Sequence, residues 1–280
     1  TSNATVGGTA AITGNTTVGG TLGVTGASTL TGDLQMGAST AVSSSRIVSV
    51  VEGGNSLEWG HGNPAGYRST LGALSGGGQP FIAFSAEHGT NANTFRTRGL
   101  KGHAMGTFDN AGGMTFKAIQ TANGDNLSNV DTMKISNDGL VTMPNQPYFA
   151  AHMTGNSVYQ SRSAGHVFDF NTTVYNVGSH FDTTNHRFTA PVNGKYLFTA
   201  SFITNDGTPE GRISFYVNGN QNVSNLQFGI NGSNTAGGGG TNASAIIQLS
   251  ASDYVDVRSQ SGTTHFYEDN HSSFTGILLS

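Results

Sequence analysis

The stretch from Phe188 to Phe202 has the clearest alternation of apolar and polar positions in the chain. Phe188 precedes a Pro-Val-Asn-Gly bend, and after Lys195 every second residue is aromatic or apolar up to Phe202. This alternation predicts a turn followed by a long strand with one buried face. We expect Gly194 to supply the backbone freedom that the bend requires.

A period of six organises residues 1–48. Apolar residues occupy every sixth position and glycines hold a second register: Val6, Ile12, Val18, Val24, Leu30, Met36, Val42 and Val48, with Gly8, Gly14, Gly20, Gly26 and Gly32. Such a period indicates repeat architecture, in which each short β segment buries roughly one side chain. One chain alone then buries too little, so either it coils into a three-sided β-helix or three chains share one axis. We favour the trimeric stem; a flexible linker is the alternative.

The period is lost in residues 49–146, where short apolar clusters alternate with glycine and asparagine turns. No helical period lasts beyond about two turns, so we predict a small domain of irregular β-strands. The clusters are SLEWG, GYRSTLGAL, PFIAFSAE, TFRTRG, GMTFKAI, DTMKIS and GLVTM.

Residues 147–280 contain many short apolar segments separated by turn signals, a pattern typical of a sandwich or jelly roll. The predicted strands are Tyr148–Met153, His166–Phe170, His180–Asp182, His186–Ala190, Lys195–Thr204, Arg212–Val217, Val223–Ile230, Ala243–Leu249, Tyr254–Ser259 and Phe274–Leu279. The predicted core is Phe170, Phe188, Tyr196, Phe198, Phe215, Val217, Val255, Phe274 and Leu278. The predicted fold class is all-β, with a hexad-repeat β stem (1–48), an irregular β middle domain (49–146) and a C-terminal jelly-roll sandwich (147–280).

Composition narrows the possible partners. Charged residues make up 10% of the chain, against about 25% in ordinary soluble domains, while glycine takes 41 positions. The net charge of −4 speaks against nucleic acid as a partner, and the absence of cysteine excludes disulfides and thiolate metal sites. No apolar run is long enough to insert into a membrane. Because the first residue is Thr, we interpret the chain as a fragment of a longer one.

The last domain carries a family resemblance in the spacing of its aromatic, glycine, proline and asparagine residues. The matching positions are Phe170, Asn171, Asn176, Phe181, Phe188, Pro191, Gly194, Tyr196, Phe198, Phe215, Val217, Asn218, Gly219, Asp253, Val255, Val257, Phe274, Gly276, Leu278 and Leu279. They resemble the globular head of complement component one, subcomponent q, which shares a jelly roll with the tumour-necrosis-factor superfamily. The resemblance implies a jelly roll that trimerises. Ser252 departs from the family, which usually has glycine before the acidic residue.

The order of glycine-rich stem, β middle domain and trimeric head resembles the distal part of a bacteriophage tail fibre. The stretches TVGGTLGVTG and ISNDGLVTM are similar to repeats of such fibres. This resemblance implies a homotrimeric, non-enzymatic virion protein at an extracellular fibre tip, without a cofactor. Its partners would be a host cell-surface glycan or protein receptor and the upstream fibre or other tail proteins. The alternatives are a tail-associated polysaccharide depolymerase and a structural trimerisation head without receptor contact.

Loops that follow alternate antiparallel strands share one end of a sandwich, which predicts a binding tip formed by residues 205–211, 231–242 and 260–272. Aromatic, amide and acidic side chains on a rigid scaffold suit carbohydrate or protein receptors. The competing interpretation is a set of solvated loops. The candidate receptor-binding residues are Asp206, Glu210, Asn231, Asn234, His265, Tyr267, Glu268, Asp269 and His271.

A second candidate glycan site contains the single tryptophan of the chain. Trp59 next to a glycine could form a platform for a sugar ring, although a lone tryptophan more often anchors a core. The candidate residues of this site are Trp59, His61, Tyr67 and Arg68.

Metal and catalytic signals are weak. The nine histidines show no metal-binding spacing, so a metal site is left open, with Asp253 or His265 gathered on a threefold axis as the only candidates. A depolymerase would need two carboxylates roughly 5 to 10 Å apart. The candidate carboxylates of the middle domain, which we expect to be solvated turn residues, are Glu52, Glu58, Glu87, Asp109, Asp125 and Asp131.

Overall fold

The computed structural model describes residues 9, 11–21, 23–25, 54–59, 68–74, 77–108, 112–155, 159–204, 211–221, 227–230, 239–260, 264–267, 269 and 271–280. By its internal contacts the chain divides into two units, residues 1–49 and residues 50–280. None of the described helical segments has the length and apolarity to cross a membrane.

The hexad segment is described only in part. Its described residues, 9, 11–21 and 23–25, form no strand, and the apolar positions Ile12, Val18 and Val24 are exposed in the single chain. Within one copy, the described part of this segment therefore does not bury its apolar positions. The trimeric stem stays a prediction, and most of its residues lie outside the described ranges.

The middle part of the second unit consists of two antiparallel sheets. Its strands are β1 (Gly54–Trp59), β2 (Ser69–Ala73), β3 (Pro80–Phe84), β4 (Glu87–His88), β5 (Phe95–Arg98), β6 (Gly102–Gly106), β7 (Met114–Ile119), β8 (Asn123–Leu127), β9 (Val130–Ile135) and β10 (Val141–Thr142). Seven of them form one sheet in the order β1-β2-β3-β6-β7-β9-β10, and β4-β5-β8 form a second, smaller sheet. Two strands, β6 and β8, escape the sequence prediction because GHAMG and NGDNL lack β-branched residues.

The small sheet covers one face of the large one. Phe81 of β3 and Phe95 of β5 meet edge to face across the two sheets, with ring centroids 5.4 Å apart. Around this pair lies a compact core of buried residues: Leu74, Phe81, Ala83, Ala86, Phe95, Ala104 and Ile119. The core is thin, so ion pairs contribute to holding the small sheet in place, as described below.

The C-terminal part is a sandwich of two sheets. Its elements are β11 (Tyr148–His152), β12 (Tyr159–Arg162), β13 (Thr172–Asn176), a 3-10 turn (Val177–Ser179), β14 (Phe181–Asp182), β15 (Arg187–Thr189), β16 (Gly194–Thr204), β17 (Gly211–Val217), β18 (Gln227–Ile230), β19 (Gly239–Leu249), β20 (Tyr254–Ser259), β21 (Thr264–Tyr267) and β22 (Ser273–Leu278). One sheet has the order β12-β21-β16-β22-β11-β13 with β19 also paired to β16, and the other has β14-β15-β20-β17-β18. The all-β prediction with a C-terminal jelly roll is confirmed.

The predicted strand after the Pro-Val-Asn-Gly bend is the central strand of the sandwich. β16 pairs with β19 along its whole length and with β22 from Tyr196 to Ser201. Tyr196, Phe198, Ala200 and Phe202 are fully buried, as the alternation predicts. Seven of the nine predicted core residues lie in the buried core of the sandwich, and Val217 and Leu278 pack against it half-buried.

Two details differ from the sequence predictions. The segment His166–Phe170 is not a strand, because its buried aromatic residues fill the core while only Val167 makes an isolated bridge, to Arg258. Gly194 is not needed for the bend itself. A Cβ there would lie 2.6 Å from Leu278 Cδ1 and 2.7 Å from the Ser280 carbonyl oxygen, so close packing requires the glycine.

Candidate functional site

The predicted tip residues are described only in part. Five of the nine candidates lie outside the described residues: Asp206, Glu210, Asn231, Asn234 and Glu268. The other four belong to β21 or to the turn that follows it: His265, Tyr267, Asp269 and His271.

Tyr267 and His271 come together across the short connection between β21 and β22. The rings of Tyr267 and His271 meet edge to face at 5.0 Å. Ser272 closes the turn: its hydroxyl donates to the Tyr267 carbonyl oxygen at 2.9 Å and its backbone N–H donates to the Asp269 carbonyl oxygen at 3.1 Å. The turn therefore presents two aromatic rings and one carboxylate in a closed backbone conformation.

The core anchors β21, the strand that precedes this turn. Phe266 is fully buried between Phe168 and Phe202, with ring centroids at 4.7 and 5.6 Å. Strand pairing places the turn beside Thr204, because Thr204 pairs with Phe266. Thr204 ends β16, whose 11 residues extend about 35 Å at the usual rise. The turn thus lies at the end of the sheet opposite to Gly194 and the C-terminus.

Of the second candidate site, the structure describes Trp59 and Arg68. Trp59 packs edge to face on Phe84 at 6.4 Å and is partly exposed, rather than anchoring the core. Arg68 instead contacts two carboxylates, those of Glu58 and Glu87, each at 3.3 Å. The remaining two candidates, His61 and Tyr67, lie outside the described residues.

The acidic residues of the middle domain are engaged in ion pairs. The buried carboxylate of Glu87 accepts a hydrogen bond from Arg98 Nε at 2.6 Å. Asp125 is not a free turn residue, because it lies in β8 and binds Arg96 and the backbone N–H of Thr90. The Arg96 guanidinium beside Asp125 holds the pKa of that carboxyl well below its usual range.

Asp131 is paired in the same way, with Lys117 at 2.6 Å and Lys134 at 2.7 Å. These contacts hold strands and sheets together and leave no pair of free carboxylates among the described candidates. Glu52 and Asp109 lie outside the described residues. The arrangement is that of a structural charge network rather than of a glycosidase site.

The two candidate metal ligands, Asp253 and His265, have different structural surroundings. Asp253 accepts hydrogen bonds from Asn218 Nδ2 and from the Ser250 backbone N–H, both at 2.7 Å, which lower its pKa. It therefore closes a turn, whereas His265 lies in β21 near the tip. In the part of the chain that the structure describes, no three His, Asp or Glu side chains gather as a metal site requires.

One further surface was not found by sequence reasoning. On the outer face of the sandwich, Ile246, Leu197, Ile277 and Tyr148 are direct neighbours across four strands, β19, β16, β22 and β11. Directly paired residues project from the same face of a sheet, so they form one apolar row. All four are at least partly exposed in the single chain. We call this set the head row.

Polar groups beside the head row satisfy one another. Ser201 and Ser273 share a hydrogen bond of 2.7 Å, and Thr199 and Thr275 share another. Tyr175 packs on Tyr148 with ring centroids 5.3 Å apart. A shallow cavity of about 190 Å³ lies on this face, lined by both tyrosines and by Leu197 and Ile277 of the head row. Another apolar surface can therefore cover this face without leaving these polar side chains buried and unpaired, which would cost free energy.

Comparisons with known proteins bear on the C-terminal part. The model of the C1q domain family matches residues 148–279. Complement C1q tumor necrosis factor-related protein 3 of Homo sapiens is 29% identical over 121 residues, covering 43% of this chain and 47% of that protein. The Mus musculus protein of the same name matches with the same identity and coverage. The match thus spans about half the length of these curated relatives.

Solved structures show the same likeness. The globular domain of zebrafish complement 1qA protein matches 48% of this chain and 98% of its own, at 13% identity and a TM-score of 0.36. Eiger TNF from S. frugiperda covers 48% of this chain and 94% of its own, at 18% identity and a TM-score of 0.36.

These findings correct the predicted function and location. The prediction of a bacteriophage tail-fibre tip in a virion is wrong, because the curated proteins that the chain matches are mammalian C1q/TNF-related proteins. The prediction of a non-enzymatic protein is confirmed for the region that matches the C1q domain family. The jelly-roll part of the chain, residues 148–279, is thus the part that is similar to the C1q domain family.

Proposed function

We propose that the chain is a secreted, homotrimeric ligand that binds a cell-surface receptor through the tip turn of its C1q domain. The observation that carries the proposal is the head row, Ile246–Leu197–Ile277–Tyr148, which is apolar across four strands and exposed in the single chain. An apolar face of this kind favours association over solvation.

The tip turn supplies the receptor contact in this proposal. Tyr267 and His271 form an edge-to-face pair that a planar sugar face can approach, and Asp269 adds carboxylate oxygens for hydroxyl groups. A single turn offers few contacts. Three copies act together, because a receptor bound at one tip raises the effective concentration of its neighbours at the others. A receptor glycan is the ligand class that this chemistry suits best.

The oligomer is tested first, by sedimentation equilibrium of the full chain. We expect three times the 28.9 kDa of one chain. Leu197→Asp, in the middle of the head row, should yield monomers because a carboxylate is placed in the apolar contact. Leu100→Asp is the matched control, since Leu100 is exposed in a turn of the middle domain, away from this row. A monomeric parent chain, or a trimer that Leu197→Asp leaves intact, would contradict the proposed assembly.

Receptor contact is tested on variants that remain trimeric. Fluorescently labelled chain is applied to a printed array of mammalian glycans and to cultured mammalian cells. Tyr267→Ala and His271→Ala should lose binding, while Val192→Ala, an exposed change at the opposite end of β16, should bind like the parent. Binding that survives deglycosylation of the cells but not protease treatment would replace the glycan by a protein receptor. Full binding by both tip variants would refute the tip as the binding surface.

A further inference from the structure

The large sheet of the middle domain carries an apolar row that spans six strands. Leu57 of β1 pairs with Leu71 of β2, and the row then continues through Ile82 of β3, Met105 of β6, Phe116 of β7 and Met133 of β9. Every step is a direct antiparallel pair, so all six side chains project from the same face. We call this set the knob row.

Neighbouring positions extend the same face. Met114 pairs with Ile135, and Ile135 pairs with Val141, which adds a second apolar line beside the knob row. Trp59 and Phe84 pack on each other at the other side of it. The exposed fractions are 53% for Leu57, 51% for Phe84 and 58% for Val141. Contiguous apolar surface of this extent marks an interaction site rather than ordinary solvent-facing residues.

The opposite face of the same sheet is already covered. Phe81 and Ala83, which alternate with Ile82 along β3, lie buried beneath the small sheet. Lys117 alternates with Phe116 and so faces this covered side, and the register shift in β9 places its partner Asp131 on the same side. Consequently the sheet keeps its charges on one face and its unburied apolar residues on the other.

The chain itself indicates what covers the knob row. Residues 143–147 are the only link between β10 and β11, and five residues reach at most about 17 Å. Asn145 Nδ2 donates to the Asp131 carbonyl oxygen at 2.6 Å, and the Gln146 side chain donates to the Leu278 carbonyl oxygen. The large sheet is thereby attached at the end of the C1q domain that carries the C-terminus.

When three C1q domains assemble, three such sheets are held within reach of one another. Each knob row then meets its own copies at a high effective concentration, while no foreign partner has this advantage. Apolar rows of the same composition can bury one another without leaving charges unpaired, because the charges of the sheet lie on the far side.

We propose that the knob rows of three copies pack against one another, forming a second interface of the trimer in the middle domain. This interface rests on the proposed homotrimer and adds to it. It places the contact at Leu57, Leu71, Ile82, Met105, Phe116 and Met133, outside the C1q domain. The middle domain is then an assembly module rather than a glycan-binding or catalytic one.

The test uses the absence of cysteine in the chain. A single cysteine is introduced in the full chain as Met105→Cys, at the centre of the knob row, and separately as Ile82→Cys in case one variant folds poorly. Leu100→Cys, in an exposed turn of the same domain, is the matched control. After sedimentation has established the mass, each variant is treated with a short bismaleimide and, in parallel, with a bulky polyethylene-glycol maleimide.

We expect covalent dimers and loss of bulky labelling for both row variants, with full labelling and no dimer for the control. A trimer whose row cysteines are labelled like Leu100→Cys would overturn the inference while leaving the proposed trimer intact. Row cysteines that are protected but form no dimer would also overturn it, since another segment or another protein would then cover the face. A monomeric mass would contradict both proposals and is recognised before labelling.

Discussion

Gly276 lies directly against Phe149 in the core of the sandwich. The two residues are register partners in β22 and β11, and a Cβ on Gly276 would stand 2.5 Å from Phe149 Cε1. On the other side it would stand 2.7 Å from Phe198 Cδ1 of β16. Both rings are buried and packed among further aromatic rings, so neither can move aside freely. Packing, rather than backbone conformation, requires glycine here.

Gly276→Ala should therefore lower the free energy of unfolding by about 1–3 kcal/mol, the usual cost of an overpacked core. Urea denaturation at one fixed protein concentration measures it. The control is Gly240→Ala in β19, where a new Cβ meets only the Phe202 carbonyl oxygen at 3.9 Å. Equal stability losses for the two variants would show that Gly276 is not sterically constrained.

Ser252 adopts a left-handed backbone conformation, with φ of 75°. This conformation is less favourable by roughly 1–2 kcal/mol for a residue with a Cβ than for glycine. This is also the position at which the resembled family usually has glycine. Ser252→Gly should stabilise the chain by about 0.5–1 kcal/mol, after the greater entropy of glycine in the unfolded chain is counted. Ser250→Gly, two residues earlier, should not stabilise it, because Ser250 has no such strain to relieve. A loss of stability in Ser252→Gly would contradict the argument.

Asp125 makes the middle domain sensitive to acid. Hydrogen bonds from Arg96 and Thr90 hold the pKa of Asp125 well below its usual range in the folded chain. The ionised carboxylate contributes fully to the free energy of unfolding at pH values above the ordinary pKa of about 3.9. This contribution is lost as the pH falls toward the pKa of the folded chain, because the unfolded chain takes up the proton first. When the pH is lowered from neutral to values below that ordinary pKa, the free energy of unfolding should fall more for the parent chain than for the Asp125→Asn variant.

Thermal unfolding at several pH values, followed by circular dichroism, checks this. Asp138→Asn, at an exposed turn position between β9 and β10, serves as the control and should keep the acid sensitivity of the parent. Identical pH profiles for Asp125→Asn and the parent would show that the contact with Arg96 does not contribute.

Arg258 neutralises a buried carboxylate. Its Nε and Nη2 donate to the two oxygens of Asp256 at 2.7 and 2.8 Å, and its guanidinium lies over the Tyr216 ring. Arg258→Met should lower the free energy of unfolding by about 2–3 kcal/mol. This is somewhat less than the loss on breaking a fully buried ion pair, because Arg258 is partly exposed. The double variant Arg258→Met with Asp256→Asn should recover part of that loss in denaturant unfolding. No recovery would show that lost packing, not the uncompensated charge, dominates.

Local patterns predicted the parts of the fold that depend on single strands. The alternation after the Pro-Val-Asn-Gly bend yields β16, and Tyr196 and Phe198 are buried where the period places them. The polar strands β12, β13 and β21 were missed because YQSR, TTVYN and THFY show no apolar alternation. Their strand state comes from pairing with neighbours, which the sequence of one segment does not contain.

The candidate sites show the same difference between contacts that are local in sequence and contacts that depend on distant segments. Tyr267 and His271 are four residues apart, and their rings are in contact in the structure, while their role in binding stays a prediction. Trp59 and Arg68 were grouped by proximity in sequence, and the pairing of Arg68 with Glu58 and Glu87 could not be read from that segment.

The sequence by itself determined the all-β class, the aromatic core of the sandwich and the resemblance of residues 148–279 to the complement head, because alternation, turn residues and aromatic spacing are local properties. Only the tertiary structure decided which residues are neighbours across strands. The head row and the knob row each join residues far apart in the chain, through the antiparallel register of neighbouring strands. Register depends on how whole strands pair, since a slip of one position would move every side chain to the other face.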